Sequence, residues 1–401
     1  MRRRLAAFLF AVATGVGVAG QSSPAEAIDP FTKGEPAALA RAGYAALGSI
    51  PFGTQHNSRD VADLLRGEPL LWIETAHFRI GCALSSLKLQ GDGDWVARTK
   101  KEIAELRKRL PTLPADCRDL QPWLRAHLIA LRCEAIYAEV RATLGVTDAM
   151  FEAPESRDPE RVEYLGPGPH LGMSEKFAVL LLQKGSNLAR YSRRYMGGRE
   201  TMEPYRYCPS GGPHVFAIAE ESAEGRMRDD FALHTQLAYN LTWMLFDGYR
   251  GTAIELPAWL ALGLSHAQAR RISPRFAAWE RRVGGEGETS DFWKWGDRAR
   301  GLAKHGAFEP LAALIARTDA AAFGMEQQIE AWAFVDWALQ HRRKELMGFL
   351  HHYRDPTQSA WMAGRTKGRE ERIAACWSKA FGRDIAAVEA EWRTALVRGR
   401  K

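Results

Sequence analysis

The hydrophobic pattern divides the chain into a mixed early part and a helical later part. Leu71–Ile80 (LWIETAHFRI) puts Trp72, Ala76, Phe78 and Ile80 on one face and predicts a strand. Trp95–Leu110 carries Val96, Ile103, Leu106 and Leu110 at helical spacing, and Pro111 stops it. Trp123–Leu144 follows Pro122 and ends at Gly145, a C-terminal cap residue. The segments Lys176–Leu182 (KFAVLLL) and His214–Glu220 (HVFAIAE) are continuous apolar runs of strand length. Between them and the early helices, residues 154–172 are rich in Pro, Gly and charge and mark the main internal boundary.

A long helix then starts at Asp229 or Asp230, carries the stripe Leu233, Leu237, Leu241 and Leu245, and ends at Asp247-Gly248. Pro257 sits in the first turn of the next helix. The rest predicts helices at Phe308–Arg317, Met325–Gln340, Lys344–His352, Arg369–Phe381 and Ile385–Val397. The expected fold class is α+β, mostly helical, with a small sheet followed by a helix pair and a helical C-terminal region. The expected organisation is a leader at 1–27, an α+β region at 28–153, a core at 173–285 and a helical region at 286–401.

The leader changes where the protein is expected to act. Arg2, Arg3 and Arg4, a short apolar run over Ala7–Gly20 and Ala25-Glu26-Ala27 read as a signal peptide, cleaved after Ala27. The apolar run is shorter than the ~20 residues a spanning helix needs. The expectation is export to the periplasm or the medium, with no transmembrane segment after cleavage. The formal charge of +7 falls to about +5 once the leader's three Arg and one Glu are removed. That mild, scattered excess and export exclude nucleic acid as a partner. A basic–aromatic stretch, Arg190–Tyr207, reads as a solvated surface loop, the alternative being a contact for an anionic polymer such as a cell-wall acid. Cys82, Cys117, Cys133, Cys208 and Cys376 have no C-x-x-C spacing, so a zinc ribbon or redox motif is not indicated. Cys208 is also a weak candidate nucleophile. Thirteen tryptophans are present, and Trp293 and Trp295 form the pair most expected at the surface.

The helix pair carries the candidate chemistry. It reads L-H-T-Q-L-A from Leu233, then L-P-A-W-L-A-L-G-L from Leu256. This resembles the gluzincin (thermolysin-like) branch of zinc metallopeptidases. There, one helix bears H-E-x-x-H beside an edge strand, and a second helix supplies a glutamate ligand. The resemblance places His234 at the first ligand and Thr235 at the catalytic glutamate. Ala238 then falls at the second histidine and Leu262 at the glutamate ligand. It also makes His214–Glu220 the edge strand and Leu262 a neighbour of His234 and Ala238. Only one of three ligands survives, and a lone imidazole does not hold zinc. A threonine hydroxyl does not serve as a general base near neutral pH. The resemblance therefore implies an exported, catalytically inactive peptidase-like protein with a binding or structural role in the cell envelope or outside the cell, its partner a peptide, protein or cell-wall ligand. Candidate groove-lining residues are His214, Trp259 and His266. The alternative is a metal-dependent peptidase with substituted ligands, His234 and His266, joined by Asp247, Asp229 or His214, with zinc as cofactor.

Overall fold

The computed structural model describes residues 28–159, 161, 164–209, 211–251, 254–275, 294–355 and 368–398. The leader, Trp279, Trp293 and Trp361 lie outside these residues. Within them the chain is α+β and mostly helical, with fourteen helices. The N-terminal part contains α1 (Pro36–Ala42), β1 (Tyr44–Leu47), α2 (Ser58–Leu64), β2 (Leu71–Thr75) and β3 (Phe78–Cys82). Then come β4 (Leu87–Lys88), α3 (Gly93–Arg109), β5 (Asp119–Leu120), α4 (Pro122–Leu144) and α5 (Asp148–Glu152). The middle holds β6 (Phe177–Leu182), α6 (Gly185–Tyr195), β7 (Tyr205–Tyr207), β8 (Val215–Ala219), α7 (Asp230–Gly248) and α8 (Ala258–Ile272). The C-terminal helices are α9 (Trp295–Lys304), α10 (Leu311–Ala316), α11 (Met325–His341), α12 (Arg343–Tyr353), α13 (Arg369–Phe381) and α14 (Ile385–Arg398).

Six strands form one mixed sheet in the order β1-β2-β3-β6-β8-β7. The two continuous apolar runs are its centre, and β6 pairs in parallel with both β3 and β8. Its side chains explain the unbroken run. Phe177, Val179 and Leu181 face the main core, while Ala178, Leu180 and Leu182 face a second core under α6. The stretch at 154–172 connects elements of this one sheet, since β3 precedes it and β6 follows it. The strand expected over Leu71–Ile80 is two strands, a hairpin that reverses at Ala76-His77. The Thr75 hydroxyl accepts from Phe78 N–H at 3.0 Å, and Glu134 of α4 accepts from His77 N–H at 3.1 Å. These side-chain bonds replace strand pairing at the reversal.

The helix pair is deeply buried. Asp229 caps α7 by accepting from the Phe231 and Ala232 N–H groups. Leu233, Leu237, Leu241 and Leu245 are all in the main core. α7 packs on α8 and α4, and α8 packs on α11. Gly263 makes the last contact possible, because a Cβ there would meet Val335 Cγ2 at 2.4 Å and the Ala331 carbonyl oxygen at 2.7 Å. A buried ionic cluster holds the start of α7. Arg132 donates to Asp230 at 2.7 and 3.1 Å and to Glu102 at 2.8 and 3.0 Å. Arg125 donates to Glu220 at 2.5 Å and lies 3.7 Å from Asp230. No helix among the described residues is long and apolar enough to cross a membrane.

Candidate functional site

A groove of about 740 Å³ lies between α7, α8, the sheet edge and the segment 318–328. Its edge strand is β7, which pairs only with β8 among the described residues. β8, expected to be the edge strand, is interior. β7 and the end of α6 fall within Arg190–Tyr207, a stretch whose charge suggested a loop.

The face of α7 that lines the groove carries Tyr239, Trp243 and Asp247, at i, i+4 and i+8. From α8 come Ala258 and Leu262. Positions 234 and 239 differ by roughly 140° around a helix of 3.6 residues per turn, so His234 faces elsewhere. Its Nδ1 lies 3.7 Å from Glu102 Oε1, on the α3–α4 side. Burial, and after it the Arg132 charge, hold its imidazole well below the ordinary range, so it is neutral. Thr235 spends its hydroxyl on the Phe231 carbonyl at 2.7 Å. Ala238 is fully buried. Of the expected meeting of Leu262 with His234 and Ala238, the His234 half is corrected, since His234 faces Glu102 and does not line the groove. Leu262 shares the groove wall with Tyr239 and Trp243, five residues further along α7.

The remaining expected residues lie behind the groove. Trp259 is fully buried against Phe334 and Phe349. His266 is also buried, with Nε2 2.9 Å from Gln328 Oε1 and its ring 4.9 Å from Tyr239 and 4.8 Å from Trp295. Burial pushes its imidazole down to about 3, against the Gln328 hydrogen bond. His234 and His266 thus turn toward different helices, the first to α3 and α4 and the second to α9 and α11. His214 is buried beneath the groove, 3.4 Å from the Met244 carbonyl oxygen. Trp295 is not a surface residue; Arg270 stacks over both its ring and that of Trp332 at 4.8 Å.

Sequence reasoning missed Arg206. From β7 it donates to Asn240 Oδ1 at 2.6 Å and lies 4.0 Å over the Trp243 ring. A cation thus sits against the two helix positions, 240 and 243, that face the strand. Arg199, Tyr205 and Tyr207 extend the basic and aromatic wall, while Asp247, Glu255 and Asp319 supply acids. The signal was present as alternating Tyr-Arg-Tyr at 205–207, a strand pattern hidden among arginines. No disulfide joins the five cysteines, all of which are among the described residues. Comparison with family models, with curated proteins and with solved structures finds no match for this chain.

Proposed function

We propose that this chain is an exported, catalytically inert relative of gluzincin peptidases that binds an extended peptide segment. The observation that carries the reading is the set of side chains where strand edge and helix pair converge. Two positions one turn apart on α7 and one on α8 line the groove together, as the helix-borne ligands of a three-ligand zinc site would. They are Tyr239, Trp243 and Leu262, none of which is a zinc ligand, and Arg206 lies over Trp243. A guanidinium there disfavours a second cation by like-charge repulsion.

Binding remains available where catalysis is not. The outer edge of β7 offers backbone donors and acceptors to an added strand, and the rings beside it offer apolar surface. Arg206 and Arg199 favour acidic side chains beside β7, where the added strand would lie, while Asp247, Glu255 and Asp319 line other parts of the groove. The alternative pair His234 and His266 draws no support from the geometry, since their rings face different helices.

The test is a binding screen of acidic, neutral and basic extended peptides, read by tryptophan fluorescence and calorimetry. Acidic peptides should bind best, and Arg206→Met should weaken them by about tenfold, or about 1.4 kcal/mol. Chelator-sensitive cleavage of any of these peptides by the wild-type protein would overturn the inert assignment. Equal binding of all three classes, unchanged in Arg206→Met, would overturn the groove as the binding site.

A further inference from the structure

Near the C-terminal end of α7, three chemically different donors converge. Cys208 follows β7, His214 immediately precedes β8, and Asp247 lies in the last turn of α7. One ligand atom from each, the Cys208 Sγ, an imidazole nitrogen of His214 and a carboxylate oxygen of Asp247, all lie within 4.8 Å of one another. Cys208 and Asp247 line the groove, and His214 is buried behind them. We infer that Cys208, His214 and Asp247 form a binding site for a borderline-soft divalent cation of the zinc class, open to the groove on one side.

Three arguments carry this. The donor set of thiolate, imidazole and carboxylate is one that zinc accepts, and three protein ligands with an open fourth position make a complete site. The distances fit after a small contraction, because tetrahedral zinc ligands stand about 3.3–3.8 Å apart. The imidazole is oriented from behind. His214 Nδ1 faces the Met244 carbonyl oxygen at 3.4 Å, the outer-shell contact that leaves Nε2 to coordinate.

The same geometry argues against a Cys–His–Asp nucleophile. In such a triad the imidazole stands between thiol and carboxylate and uses one nitrogen for each. Here His214 Nδ1 turns to a backbone carbonyl, which leaves one ring nitrogen for the thiol and the carboxylate together. The Arg354 guanidinium, 3.6 Å from Asp247 Oδ1, opposes a cation. Its other donors are held by the carbonyl oxygens of Tyr249, Ile254 and Asp247, so it is fixed in the core. On binding, the Cys208 thiol loses its proton to solvent, and the thiolate and the Asp247 carboxylate offset the cation's charge while the neighbouring Arg354 guanidinium leaves the site positive.

The site does not depend on the groove's peptide, and its test uses none. The reduced mature protein is titrated with cobalt(II), then with zinc as competitor. One equivalent of cobalt should give a thiolate-to-metal charge-transfer absorption, which zinc abolishes. Cys208→Ser should lose the absorption and more than about tenfold of zinc affinity, and its half-exposed position leaves folding intact. His214→Gln should weaken zinc by a similar factor, whereas Cys117→Ser should change nothing. Zinc should also protect Cys208 from alkylation by iodoacetamide. Absence of the absorption in folded wild-type protein, or its persistence in Cys208→Ser, overturns the assignment. Peptide binding measured in Cys208→Ser with chelator present keeps this outcome separate from that of the groove.

Discussion

Replacing Asp230 by asparagine should destabilise the fold by about 3 kcal/mol at neutral pH. Asp230 is 2 % exposed at the side chain and accepts from Arg132 at 2.7 and 3.1 Å and from Trp95 Nε1 at 3.1 Å. Breaking one partner out of a buried ion pair costs about 3–5 kcal/mol, because the other charge is left uncompensated. Glu102 remains bound to Arg132 at 2.8 and 3.0 Å, which places this variant at the low end. Asparagine also keeps one acceptor oxygen for Trp95. The pH dependence follows from the carboxyl group. Burial alone would raise it, yet the charge and hydrogen bonds of Arg132, with Arg125 behind, hold it well below the usual carboxylate range. A depressed carboxyl contributes stability that is complete above its unfolded value and is lost as pH falls toward its folded one. Urea unfolding at pH 7 should therefore show the full difference between wild type and Asp230→Asn, and at about pH 2.5 a smaller one. A loss under about 1 kcal/mol at pH 7, or a gap that does not narrow in acid, would refute the reasoning.

Two further outcomes test other parts of the molecule. Glu330 is buried, and burial first, then the neighbouring Glu309 charge, push its carboxyl up to about 8. A raised carboxyl contributes stability at low pH that is lost as pH rises through its folded value. Glu330→Gln should thus gain on wild type by on the order of 3 kcal/mol between pH 5 and 9, checked by thermal melts across that range. The register of the helix pair is tested in a Cys208→Ser background. Tyr239→His, Trp243→His and Leu262→Glu with Arg206→Ala should take up one zinc by metal analysis, while Ala238→His with Leu262→Glu should take up none. The reverse result would restore His234 to the groove.

Much of the fold was legible because burial writes itself in apolar spacing. The central strands, the leucine stripe of α7, the Asp229 cap and the Gly145 terminus, left-handed at φ 72°, all follow from local pattern. The groove face was not legible. His234 drew attention by its chemistry, but an imidazole buried by α3 and α4 looks the same in sequence as one aimed at a cleft. The lining residues Tyr239 and Trp243 are apolar rings in an apolar helix, so nothing local separates them from core. The hairpin at Ala76-His77 was missed because its turn is stabilised by Glu134, more than fifty residues away. Cys208, His214 and Asp247 have no motif spacing, since a hairpin connection and a helix end bring them together.

The parallel pairing of β3 with β6 sets the order in which the chain can fold. Phe78 must find Phe177, about a hundred residues later. At a synthesis rate of about 5–20 residues per second, the β3 edge waits roughly 5–20 s before its partner exists. During that time Ile80 and Cys82 present an unsatisfied backbone edge beside apolar side chains, the arrangement most prone to pairing with another chain. Refolding from denaturant should therefore be slow and concentration-sensitive, because the β3–β6 pairing closes so long a loop.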